Sequence, residues 1–453
     1  MAKCVSLRNS KKYLIWFAHE HVPFRMPEIH SIASMFGLSL QFLEAPEEEP
    51  YAIVELSGDS DARKLASRSV LVRSIIELWA HGSKTQDVQN QLRQYPAGFW
   101  DFYGREDQSF KINVDLFGKR KVPRDVKVEK IEEFDFLPLK GPIKMDNPDH
   151  VFHLIEYYGL VPNYIPPKPH MVFFGRWVCD GQRFLKSQLS LKTRKFIANT
   201  SMDPTLSIIM ANMAKVEQNH LVLDPFVGSG SLLVPAAYYG AYVMGTDIDY
   251  MLLHGRAKPS RCNEKRRAAD ESVRANLHQY GIESRFGDVI IADSSLPLWR
   301  DGIRFDAIVT DPPYGIREAT ERIGTHKKYT IPGHLAEQHI PSKVAYSLKN
   351  VICDLLNFAA QYLSLGGRIV FWMPFYNADF SEALLPSHPC LERIACSEQP
   401  LTKHSSRLLI TLEKTREPAE TSLATMSETA DSFREKYFAQ MKTIKNNHDD
   451  DSR

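Results

Sequence analysis

The chain lacks most of the features that would assign a protein quickly. Its six cysteines, at positions 4, 179, 262, 353, 390 and 396, form no C-x-x-C pair. That spacing excludes a disulfide scaffold and a structural zinc site, and it points to reduced thiols in a cytosolic or nuclear protein. We expect a cytoplasmic location. The sixteen histidines show no H-E-x-x-H or similar ligand spacing, so no metal is expected. Long apolar runs are missing. The segment Tyr13–Ala18 is too short for a signal-peptide core, and nothing suggests a membrane span or membrane partner. Charge of one sign is missing too, with 56 Lys and Arg against 55 Asp and Glu and a net charge of +1. Any nucleic-acid surface must therefore come from local clustering. There is no internal repeat. At 453 residues with 43% hydrophobic side chains, the chain has material for two or three domains.

What is present is concentrated in one half. Phe305–Thr310 reads as a strand, and Asp311-Pro312-Pro313-Tyr314-Gly315 follows it. Each proline fixes its own φ and restrains the residue before it, so the stretch makes a rigid shelf with its carbonyls aimed outward. A planar amine can donate to Asp311 and to the Pro312 carbonyl while Tyr314 stacks on its ring. That arrangement suits methylation of an exocyclic nitrogen. A proline-rich turn closed by a buried tyrosine would use the same residues, and the segments upstream decide between the two.

His220 through Ser231 reads as a strand through Asp224, a glycine-rich turn with Gly228 and Gly230, and then a helix from about Ser231. Gly228 and Gly230 permit positive φ and close approach of a ligand. The turn lacks the G-x-G-x-x-G spacing of a dinucleotide fold and the lysine of a P-loop. It suits a ligand with an amino-acid end and a nucleoside end, whose ammonium Asp224 is placed to accept. A second strand ends at Asp247-Ile248, 23 positions after Asp224, near the spacing at which an acid meets ribose hydroxyls. A third ends at Asp293, placed for an adenine amino group, and a fourth at Asp311. An aspartate after a strand is also a common helix cap. Four in succession, at the strand ends where open parallel sheets bind ligands, are better explained by a site.

These residues resemble the class I S-adenosylmethionine-dependent methyltransferases, in the branch that acts on exocyclic or amide nitrogens. Three further segments sharpen the likeness: Thr200-Ser201-Met202-Asp203-Pro204, with Asp203 and Pro204 opening a helix to about Val216; Asp311 through Glu318; and Asn147 through Glu156. With them the chain is similar to the eukaryotic tRNA guanosine-10 N2-methyltransferases over roughly residues 10–415. The resemblance implies a Rossmann-like class I methyltransferase domain preceded by an α+β ferredoxin-like/THUMP module. It implies S-adenosyl-L-methionine as cofactor, held by Thr200, Ser201, Met202, Asp224, Pro225, Phe226, Gly228, Gly230, Asp247, Ile248 and Asp293. Asp311, Pro312, Pro313 and Tyr314 would be catalytic. The implied partners are tRNA and a small zinc-binding methyltransferase activator subunit.

The expected organisation is a ferredoxin-like domain over 1–83, a THUMP-like RNA-binding domain over 84–181, a basic linker over 182–199, the methyltransferase domain over 200–415 and a polar, disordered tail over 416–453. Lys119, Arg120 and Lys121 form a basic cluster beside a strand, and Arg194 and Lys195 lie in the linker. Alone these read as solvated charge. Beside a methyltransferase domain they become candidate RNA contacts, together with Arg317. The insertion 316–341 is basic, and both a lid over the substrate and a plain surface loop fit it. Base identity is not derivable from the shelf, because adenine and cytosine amines could use it as well. Another RNA, a DNA base or a protein glutamine therefore remains an alternative substrate, and a non-catalytic RNA-binding scaffold is the more distant reading.

Overall fold

The structure is a computed structural model that describes residues 10–118, 122–161, 164–261, 265–326, 332 and 340–440. Two compact units divide at Arg183 and Phe184, with the short stretch Met26–Ser31 grouping with the second. Among the described residues no helix is long and apolar enough to cross a membrane.

The first unit is built on one sheet of seven strands: β1 (Lys11–Phe17), β2 (Gln41–Glu44), β3 (Tyr51–Leu56), β4 (Val72–Gly82), β5 (Phe110–Phe117), β6 (His150–Tyr157) and β7 (Met171–Asp180). Their order is β2-β3-β1-β4-β7-β6-β5. Neighbours are antiparallel except β5 and β6. In β1 every residue from Tyr13 to Phe17 is buried, as a central strand covered on both faces requires. The boundary expected near residue 83 does not interrupt this sheet. β4 pairs with β7 from Ser74 to Gly82, so the ferredoxin-like and THUMP-like portions share one set of strands. Trp79 on β4 anchors the distal core against Trp100, Tyr103 and Phe152, with ring centroids 4.8–5.7 Å away. Lys119, Arg120 and Lys121 lie outside the described residues.

The second unit contains β8 (Leu221–Asp224), β9 (Tyr242–Asp247), β10 (Phe286–Ile291), β11 (Phe305–Thr310), a hairpin of β12 (Glu321–Ile323) and β13 (Lys343–Ala345), then β14 (Leu363–Tyr376), β15 (Leu391–Pro400) and β16 (Ser405–Lys414). The main sheet runs β10-β9-β8-β11-β14-β16-β15. Its first five strands are parallel, and β16 runs antiparallel to both of its neighbours, β14 and β15. The apolar runs of β8 and β11 are buried, as strands with both faces covered must be. Strand order reverses between β8 and β11, which is where open α/β sheets leave a crevice. Asp203 caps the helix Pro204–Met213 by accepting from the Thr205 and Leu206 N–H groups. Ser347 caps the helix Leu348–Tyr362, whose Leu348, Ile352, Leu355 and Ala359 pack into the core with Phe305 and Ile369.

Two expectations fail here. The stretch 184–199 is no free linker: Leu185, Leu189 and Phe196 are buried. Asn276 also clamps Phe196, accepting from its N–H and donating to its carbonyl, both at 2.8 Å. The tail is not disordered through its described part. Met426, Ala430 and Phe433 are buried, Lys349 donates to Asp431 through its backbone N–H at 2.9 Å, and Lys436 pairs with Asp379 at 2.6 Å.

Candidate active site

A cleft of about 630 Å³ opens at the carboxyl ends of β8, β9 and β11. The catalytic residues expected from sequence line it, as do all the expected cofactor residues except Gly230. Gly230 acts behind the wall: its φ is +74°, and a Cβ there would come within 2.6 Å of Val273. Gly228 turns at φ +50° with open space where its side chain would be. Its N–H donates to Asp247 at 2.8 Å, and the other Asp247 oxygen accepts from the Asp249 N–H at 2.9 Å. The acid that ends β9 thus ties the glycine turn to the sheet and keeps lone pairs for a ligand.

Asp224 is almost fully buried. It accepts from the Thr310 hydroxyl at 2.7 Å and from the Phe226 N–H at 3.0 Å. Burial pushes its carboxyl up to about 7, opposed by those two hydrogen bonds and reinforced by Asp247 and Asp311 nearby. A carboxyl raised on folding binds its proton more tightly in the fold than in the unfolded chain. Stability therefore falls as pH rises from the usual carboxylate range through about 7. Asp224→Asn should flatten that slope and be more stable than wild type above pH 7, by at most about 4 kcal/mol. Thermal unfolding at pH 5 and pH 8 without ligand checks this, and equal pH slopes for the two proteins would refute it. The same burial makes the ionised form a strong partner for a ligand cation.

Asp293 is buried, and both its oxygens are engaged, by the Ser295 N–H at 2.9 Å and the Ile323 N–H at 2.6 Å. Besides facing the cleft it fastens β12 to the sheet, a task that sequence spacing did not show.

On the shelf, the Tyr314 hydroxyl donates to Asp311. Burial raises the Asp311 carboxyl, opposed by Arg407 and by that hydroxyl. Arg407, on β16, places Nη1 3.5 Å from Asp311 Oδ2. No residue of β15, β16 or the tail was expected at the site from sequence, yet Gln399 of β15, Arg407 of β16 and Tyr437 of the tail all line the cleft. Arg434 reaches the shelf from the tail, its Nε donating to the Gly315 carbonyl at 2.8 Å. Met426, Ala430, Phe433 and Tyr437 recur at helical spacing, and that apolar stripe is the signal that would have revealed the tail's packing.

The expected RNA contacts divide. Arg194 is buried, donating to the Leu189 carbonyl at 2.8 Å and to the Ser231 hydroxyl at 3.4 Å. It braces the protein and cannot reach RNA. Lys195 is exposed, pairs with Asp270 at 3.0 Å and does not line the cleft. Arg317 sits on the rim, donating to the Asn199 carbonyl at 3.3 Å.

A switch-point cleft with acids at four strand ends and an Asp-Pro-Pro-Tyr shelf defines a Rossmann-like class I methyltransferase. Residues 192–345 match the family profile of the RMKL-like methyltransferase domain, and residues 11–183 that of the Tmrp11 THUMP N-terminal domain. The chain is 47% identical over 412 residues to the tRNA (guanine(10)-N(2))-methyltransferase TRMT11 of Bos taurus, covering 90% of this chain and 88% of that one. To the Homo sapiens protein of that name it is 46% identical over 414 residues, covering 89% and 88%. To that of Dictyostelium discoideum it is 35% identical over 431 residues, covering 89% and 82%. The chain belongs to the TRMT11 family of tRNA (guanine(10)-N(2))-methyltransferases.

Proposed function

We propose that this protein transfers a methyl group from S-adenosyl-L-methionine to the exocyclic N2 of guanosine 10 in tRNA. The observation that carries the reading is the Asp311–Tyr314 shelf in the same cleft as Asp224, the glycine turn and Asp247. The fit to the cofactor rests on that donor set. Asp224 offers a buried carboxylate to an ammonium, Asp247 offers lone pairs to ribose hydroxyls, and the bare Gly228 leaves room between them. When bound, the cofactor supplies an electrophilic methyl on a sulfonium.

The chain's own residues then position the nucleophile. A guanine paired in a duplex has its amine engaged, so it must be turned out into the cleft. Asp311 and the Pro312 carbonyl accept from the amine and align its lone pair, while Tyr314 stacks on the ring. As the N–C bond forms and the S–C bond breaks, the amine sheds a proton, for which Asp311 is the adjacent acceptor. Rate enhancement comes mainly from orientation and from a fixed polar environment.

The THUMP-containing unit is the RNA grip in this reading. Lys119, Arg120 and Lys121 in that unit, with Lys195 and Arg317 in the catalytic unit, are the proposed RNA contacts. The ferredoxin-like and THUMP-like domains over 1–83 and 84–181, sharing one sheet, and a methyltransferase domain over 200–415, extended by the packed stretch 184–199 and the described tail, are part of the proposal. The partner is a small zinc-binding activator docked on the catalytic unit. Its support is an exposed sheet edge, β10, near the exposed apolar side chains Ile291, Leu296 and Leu298. We place the enzyme in the cytoplasm. Photocrosslinking in the presence of cofactor tests the substrate class: tRNA should outcompete ribosomal and messenger fragments of equal length, and equal capture of all three would reject a tRNA enzyme.

A further inference from the structure

We infer that Arg407 reads the O6 atom of the target guanine and so completes the base selection that Asp311 begins. This rests on the reading above, in which Asp311 faces the Watson–Crick edge of the flipped base.

The side chain is held as a fixed probe. Arg407 lies on β16 between Gln399 on β15 and Pro374 on β14. Its Nε donates to Gln399 Oε1 at 2.8 Å. Its guanidinium carbon sits 3.9 Å from the ring centroid of Trp372, which is fully buried. Such a cation–π contact fixes the plane of the group. The Nη atoms are left facing the cleft, with long contacts to Asp311 Oδ2 at 3.5 Å and Met202 Sδ at 3.7 Å. A guanidinium carries more N–H groups than these contacts use.

The chemistry of the bases gives this pairing a purpose. Beside its reacting amine, guanine presents N1–H, a donor, and then O6, an acceptor. Adenine and cytosine present an acceptor nitrogen directly beside the amine. An ionised Asp311 accepts from N2 and N1–H of guanine and repels the ring nitrogen of the other two. A carboxylate has nothing to offer O6, whereas an arginine offers only donors. An acceptor and a donor side by side thus complement the guanine edge. Arg407 has a second effect in the same direction. Its positive charge keeps Asp311 more ionised than burial alone would leave it, so the acceptor that rejects adenine is maintained.

The test compares substrates as well as proteins. Full-length enzyme, with its activator where activity requires it, is assayed on tRNA carrying guanosine or 6-thioguanosine at position 10. The thio base keeps N1–H and N2 but has a weaker acceptor at position 6. Wild type should lose about tenfold in kcat/KM on the thio base, in line with one hydrogen-bond preference. Arg407→Met should be slow on guanosine and show no preference between the two bases. The lower limb of its pH–rate profile should also move to higher pH, because Asp311 loses its counter-charge. Gln399→Ala, which frees the Arg407 Nε, should blunt the preference partially and serves if Arg407→Met does not fold. Undiminished preference in Arg407→Met, or in Gln399→Ala where only that variant folds, would overturn the inference. Asp311→Asn separates the two levels. If it keeps normal turnover, the reading of the shelf itself fails; if it is inactive while Arg407→Met discriminates like wild type, only the role of Arg407 fails.

Discussion

Asp311→Ala should abolish methyl transfer, with a loss of at least about a thousandfold in kcat, while cofactor affinity stays within a few-fold of wild type. The asymmetry follows from position. Asp311 ends β11 and meets Tyr314 and Arg407, whereas the proposed cofactor acids Asp224 and Asp247 end β8 and β9 and have their own partners. Removing the carboxylate takes away the group that orients the amine, and it leaves Arg407 without its counter-charge. Asp311→Asn should fare little better, since an amide can turn its NH₂ toward the incoming amine. Calorimetric cofactor titration beside single-turnover transfer reads both quantities. Near-normal turnover would sink the assignment, and loss of cofactor binding would place Asp311 in the wrong half of the cleft.

Deleting residues 419–453 should cost both stability and activity. The sequence alone suggests a dispensable polar tail, but its described part packs into the catalytic unit. Met426, Ala430 and Phe433 are buried there, and burial of two large side chains stabilises by roughly 3–5 kcal/mol. Arg434 holds the carbonyl of Gly315, and Tyr437 forms part of the cleft wall. Without the tail the shelf loses its brace at the residue after Tyr314. We expect a lower melting temperature and a fall in kcat/KM of tenfold or more. Arg434→Ala should lower activity with a smaller loss of stability, because it removes one hydrogen bond and little apolar area. A truncated protein that melts and turns over like wild type would show the tail to be an ornament of the fold.

The legible parts of this protein were those where chemistry and backbone geometry demand the same residue. Asp224, Gly228, Asp247 and Asp311 sit at strand ends or in a tight turn, so local pattern marks them and the switch-point topology gathers them. Arg407 was invisible because a lone arginine in an apolar strand carries no local signature; its meaning depends on β16 lying two strands from β11. Arg194 misled for the converse reason. Its neighbours Lys192 and Lys195 suggested a solvated basic run, while the adjacent Leu189 and Phe196 were burying the segment. The single sheet of the first unit was missed because the β4–β7 pairing joins residues about a hundred positions apart, and no local periodicity reports on such a pairing.

The most direct test of the whole account is nucleoside analysis of tRNA transcripts after incubation with S-adenosylmethionine and the protein, alone and with the small activator. The account predicts N2-methylguanosine at position 10, absent with Asp311→Ala. A different modified nucleoside, or no product with the activator present although the cofactor binds, would contradict it.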